Sequence, residues 1–123
     1  MGNLTENFSK EEFSCPCCDA EGISLEFVAT LQTVRTRLGL PIRPTSAYRC
    51  QHHNKAVGGV EDSAHTKGLA SDIHIPDSTL RYLYMREFMK VFSRIGMGVG
   101  FIHVDIDPDK PQNLIWMYPQ NRS

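Results

Sequence analysis

Apolar positions recur along the chain with two different periods, and the change of period marks out its elements. After Ser24, a residue suited to cap a helix, Leu25, Val28, Leu31, Val34 and Leu38 follow at helical spacing until Gly39 offers a left-handed stop. Pro76 and Asp77 close the strand before it, and Ser78 is expected to cap a longer helix that carries Leu80, Leu83, Tyr84, Phe88, Val91 and Phe92, with Gly96 as its expected end. Elsewhere the period falls to two. Ala70, Asp72 and His74 share one face with Ile73 and Ile75 behind them, and Phe101, His103 and Asp105 alternate with Ile102, Val104 and Ile106. Shorter pieces complete the series. Ser9-Lys10-Glu11-Glu12 reads as a capping box opening a short helix that ends near the cysteines. Thr45 to Tyr48 reads as a strand, Gln51 to Val57 as a short helix ended by Gly58-Gly59, and Leu114 to Tyr118 as a last strand paired in a hairpin with its predecessor. The run from Gly96 to Gly100 precedes a strand and not a helix, so it gives backbone freedom and no dinucleotide loop. The sum is an α+β domain with a small antiparallel sheet and flanking helices.

Length and charge narrow the picture. The 123 residues allow one core, so a single domain over 1–123 is expected, as a monomer. A net charge of -1 gives no electrostatic case for nucleic acid. The amino terminus is polar and the apolar runs are short, so neither a signal peptide nor a membrane span is expected. Synthesis in the cytoplasm follows, with action elsewhere depending on a separate route such as lysis or packaging in a virion.

The polar faces of the two alternating strands carry unusual chemistry. An exposed strand face is commonly Thr, Lys, Glu or Ser, whereas these two hold Asp72, His74, His103 and Asp105. A half-buried antiparallel strand also alternates without any site, but two Asp and two His favour a metal. A catalytic zinc ion takes three protein ligands and keeps one position open, and His65, Asp72 and His103 supply such a set.

The cysteines suggest something else. Cys15, Cys17 and Cys18 are clustered and Cys50 is remote. Cys-Pro-Cys-Cys with one distant partner lacks the paired spacing of structural zinc sites. The preferred reading is of small buried residues pinning the amino-terminal loop near Cys50.

Ser63-x-His65-x-x-Gly68-x-Ala70-x-Asp72, followed downstream by the strand holding His103, resembles the motif of the D-Ala-D-Ala carboxypeptidase-like zinc peptidases. That group includes phage endolysin endopeptidases and is structurally akin to lysostaphin and the hedgehog signalling domain. The resemblance runs from Phe13 through His103 and takes in Thr45-Ser46-Ala47-Tyr48-Arg49-Cys50 and His53-Asn54-x-Ala56-Val57-Gly58-Gly59. It implies a hedgehog/DD-peptidase-like fold, one Zn2+, and hydrolysis of bacterial peptidoglycan stem peptides, either as an endopeptidase or as a carboxypeptidase. Arg49 matches the family's substrate arginine, and a planar guanidinium can clamp a carboxylate with two hydrogen bonds. Ser63 is expected to shape the loop or touch substrate. The chain departs from the family in its general base. Gly100 stands where some members carry an acid and Phe101 where others carry a histidine. Asp105, on the same face as His103, is the expected base, with His74 as runner-up and orientation of a ligand histidine as the alternative role for Asp105. Two other functions remain open: a catalytically silent relative that keeps its metal for wall binding or virion structure, and a cysteine-zinc interaction module.

Overall fold

The computed structural model describes residues 2–119. Its regular elements are α1 (Leu25–Leu38), β1 (Pro44–Ser46), α2 (Gln51–Ala56), β2 (Ala70–His74), α3 (Ser78–Val91), β3 (Arg94–Met97), β4 (Phe101–Asp105) and β5 (Leu114–Met117), with 3-10 turns at Lys10–Glu12 and Ala64–Lys67. The strands form one sheet in the order β1-β2-β4-β3-β5. No helix among the described residues is long and apolar enough to cross a membrane.

Helix α1 follows its sequence signals. The Ser24 hydroxyl accepts from the Phe27 amide, and Gly39 closes the helix at φ 67°, a conformation that glycine adopts without a Cβ penalty. Its buried stripe is Phe27, Val28, Leu31 and Val34, while Leu25 is 66% exposed. These residues meet Phe88 and Phe92 of the α3 region and Ile73, Ile95, Ile102 and Val104 of the sheet in one core. Each large side chain buried there contributes roughly 1.5–3 kcal/mol relative to exposure.

Three expectations need correction. The capping box at Ser9 holds, with the Glu12 carboxylate accepting from the Ser9 amide at 2.8 Å, but the turn it opens spans only Lys10–Glu12 and stops before the cysteines. The long helix is capped by Asp77, whose side chain accepts from Leu80, and it ends at Val91. Phe92 is already extended, at φ -111° and ψ 132°, and Gly96 lies within β3. The pairing that β3 gains on both sides, with β4 and β5, overrides the local helical pattern. Finally, β5 does not form a hairpin with β4. It runs parallel to β3, Arg94 facing Leu114 and Gly96 facing Trp116, so the sheet is α+β in setting but mixed in direction. Residues 106–113 carry the chain past β3 to its outer edge, held there by the Arg94 guanidinium on the Pro111 carbonyl and by Gln112 on the Asp107 carbonyl.

Register places the chemistry. Ser46 faces Asp72, Asp72 faces His103, His103 faces Gly96 and Gly96 faces Trp116, giving one row across all five strands. The row behind it pairs Ala70 with Asp105, Asp105 with Arg94 and Arg94 with Leu114. Strand side chains alternate between faces, so both rows lie opposite the helix-covered core. The connection into β2 depends on Gly68, at φ 72°, where a Cβ would fall 1.7 Å from the Gly22 carbonyl oxygen. Gly68→Ala is expected to lower stability by at least about 1–3 kcal/mol through backbone strain and this collision. An unchanged urea midpoint in that variant would show that the turn does not need glycine.

Candidate metal centre

His65 is held at the edge of the sheet by its own turn. The Ser63 hydroxyl accepts from the His65 amide at 3.1 Å, and Nδ1 of the ring donates to the Ala47 carbonyl at 2.6 Å. That bond fixes the tautomer and turns Nε2 toward Asp72, 3.3 Å from Oδ1. Asp72 Oδ1 also lies 3.0 Å from Nδ1 of His103. The three residues are only 3%, 8% and 5% exposed, and one donor atom from each lies within 4.8 Å of the others. Two imidazole nitrogens and a carboxylate oxygen converging in this way suit zinc, which four-coordinate sites hold at about 2.0–2.2 Å from such donors.

The electrostatics agree with a site made for a cation. Burial pushes the Asp72 carboxyl up, but hydrogen bonds and charge from His103 and His65 outweigh it and hold the group well below the usual carboxylate range. Burial pulls His103 down, yet bonds to Asp105 and Asp72 win and raise it. A cation bound between His103 Nδ1 and Asp72 Oδ1 would supply the counter-charge to that carboxylate.

Comparison with known protein families matches residues 6–105 to Peptidase M15. The chain belongs to the peptidase M15 family. No match is found among curated proteins. Family membership, together with residue groups able to hold a metal, supports a zinc peptidase.

Around the three ligand candidates, this M15 chain has a cavity of about 300 Å³. Arg49 lies on one wall, its Nε on the Ser46 hydroxyl at 3.1 Å, Nη1 on the Asn54 side-chain oxygen at 3.2 Å, and Nη2 3.6 Å from Asp72 Oδ2. It is thus tied to the centre itself. Ser63 lines the same cavity. His74 is exposed at the end of β2, and His74, His52 and His53 are all absent from the cavity lining.

Asp105, the expected base, lines the same cavity, but its carboxylate is already engaged. It is 1% exposed, Oδ2 accepts from His103 Nε2 at 2.7 Å, and Oδ1 accepts from Arg94 Nε at 2.7 Å and from the Asp107 amide at 3.0 Å. The imidazole of His103 separates it from the converging donor atoms. Burial raises its pKa, but the His103 bond leads the contributions that bring it below normal. A carboxylate engaged through both oxygens behind a ligand ring suits orientation of that ring better than proton transfer in front of it.

The opposite wall was not foreseen as part of the site. Trp116 and Tyr118 reach over the sheet, their rings 5.3 Å and 6.4 Å from that of His103. Arg94 stacks 4.9 Å from the Trp116 centroid. The alternation of Leu114, Trp116 and Tyr118 was legible, but its relevance depended on the parallel pairing with β3. Gly96 makes the wall possible: a Cβ there would lie 2.7 Å from Trp116 and Tyr118 ring atoms. Gly96→Ala is therefore expected to displace both rings, cost about 1–3 kcal/mol of stability, and shift the emission of Trp116, the chain's one tryptophan. An unaltered emission spectrum would mean that the rings do not rest on this glycine.

Proposed function

We propose that this protein is a zinc-dependent peptidase that hydrolyses peptide bonds in the stem peptides of bacterial peptidoglycan, as an endolysin-like endopeptidase or a D-Ala-D-Ala carboxypeptidase. The observation that carries the proposal is the convergence of His65 Nε2, Asp72 Oδ1 and His103 Nδ1 on the floor of a cavity walled by the Arg49 guanidinium. A zinc ion held there would polarise the scissile carbonyl and make water nucleophilic near neutral pH. The chain's own residues then have separable tasks. Arg49 lines the cavity with Nε on Ser46 and Nη1 on Asn54, and its guanidinium can orient a substrate carboxylate, a group in which stem peptides are rich. Ser63 holds the His65 turn. Asp105 fixes the His103 ring so that Nδ1 points to the centre, as the acceptor for Nε2-H. Trp116 and Tyr118 exclude water from one side and offer a face for the peptide.

The decisive experiment is digestion of defined peptidoglycan with the zinc-loaded protein, followed by mass spectrometry of the fragments, alongside a chelated control. Zinc-dependent release of a stem-peptide fragment or of terminal D-Ala is expected. Intact peptidoglycan with fully zinc-loaded protein would instead favour a silent relative. His103→Ala should lose one equivalent of zinc, since two remaining ligands hold a tetrahedral ion poorly; retention at wild-type affinity would remove His103 from the ligand set.

Arg49→Lys keeps the charge and loses the fork. It should lower kcat/KM roughly 10- to 100-fold, the equivalent of one charge-assisted hydrogen bond, with zinc content unchanged. Wild-type kinetics would exclude the clamp.

Asp105→Asn separates the two roles considered for that residue. Orientation of His103 predicts a loss of zinc affinity of about 10- to 100-fold. Undiminished affinity with a collapse of kcat would assign Asp105 to proton transfer.

A further inference from the structure

The four cysteines form a second centre, on the side of the amino-terminal loop. Cys15 and Cys17 bring their sulfurs to 3.5 Å, Cys15 and Cys50 to 3.7 Å, and Cys17 and Cys50 to 3.4 Å. With Cys18, all four Sγ atoms lie within 4.8 Å of one another, although Cys50 is far away in sequence. All four are free thiols. A packing role explains Cys15, which is buried, but not the convergence of Cys17 and Cys18, which are exposed. Nor do these contacts divide into two disulfide pairs, because Cys15, Cys17 and Cys50 each touch the other two.

We propose that Cys15, Cys17, Cys18 and Cys50 bind a structural zinc ion, distinct from the His65-Asp72-His103 centre. Zinc-thiolate bonds of about 2.3 Å in a tetrahedron place neighbouring sulfurs about 3.8 Å apart, close to the separations seen here. The backbone is arranged for this. Asp19 adopts φ 58°, and its amide donates to the Cys15 carbonyl at 2.7 Å, folding Cys15 to Cys18 into a tight turn. The Cys50 amide donates to Cys15 Sγ and the His53 amide to Cys50 Sγ, both at 3.4 Å. Such N-H donors stabilise thiolate charge around a bound metal. Binding replaces the thiol protons with the ion and releases them to solvent, with no change of oxidation state. Four thiolates fill a tetrahedral ion, so this site has no open position and performs no hydrolysis. Its effect is mechanical. Cys50 caps α2 and directly follows Arg49, so the ion ties the loop before α1 to the base of the segment that carries the guanidinium.

The expected spacing of structural zinc sites, two separated pairs, hides such a set in the sequence. Three ligands come from one turn and the fourth from the cap of a helix.

The test uses cobalt on the full-length protein, purified with reductant and shown by thiol titration to hold four free cysteines. Cobalt bound by sulfur gives intense thiolate-to-metal charge-transfer absorption in the near ultraviolet. The nitrogen and oxygen ligands of the other centre cannot produce it, so the readout is independent of the catalytic reading. The band is expected at one equivalent of cobalt per chain, displaced by zinc, with the four thiols then protected from the titrating reagent. Cys17→Ser and Cys18→Ser, both at exposed positions and so least disturbing to the fold, should each weaken the band and lower affinity at least about tenfold. Either no band from the fully reduced protein, or an undiminished band in both variants, would overturn the proposal.

Discussion

Strand register is the constraint on which the rest depends. Ser46, Asp72, His103, Gly96 and Trp116 occupy one row because β1, β2, β4, β3 and β5 are paired as they are. A slip of one residue in β4 would turn His103 and Asp105 into the helix-packed core and present Ile102 and Val104 to the cavity. The apolar backs of the strands, Ile73, Ile95, Ile102 and Val104, prevent that slip. The same core that stabilises the fold therefore also sets the geometry of the polar face, and the site needs no separate scaffold.

On that face charge is layered outward from the sheet. Arg94 neutralises Asp105, Asp105 holds His103, and His103 and His65 share the Asp72 carboxylate, which Arg49 also approaches. Buried side chains of this kind are costly unless satisfied, and among the described residues no buried side-chain polar atom lacks a partner. A chain of alternating signs also fixes the orientations of the two rings. The electrostatic order is thus as much a positioning device as a store of charge.

Much of this was legible from local pattern, and the exceptions share a cause. The Ser24 cap and Gly39 stop of α1 were readable because both act within one turn. The Ser63 to Asp72 motif and the alternation about His103 were readable because each ligand type is uncommon on a strand face. Strand β3 was not, since Arg94-Ile95-Gly96-Met97 is too short to separate from the helix before it until two neighbours pair with it. The place of β5 and the engagement of Asp105 by Arg94 were hidden for the same reason: both arise from partners distant in sequence. The approach of the amino-terminal loop to Cys50 was legible, but the closing of all four sulfurs on one point was not, because it depends on that same distant contact.

Strand β5 lies at an edge, attached to the sheet through β3, and falls beyond the residues matched to the family. Its hydrogen bonds to β3 are made by backbone and do not depend on which side chains stand at 116 and 118. The aromatic side of the cavity can thus vary while the row holding Asp72 and His103 stays unchanged. Wall and row are separable pieces of one sheet, so the shape of the cavity can diverge without re-forming the cluster at its floor.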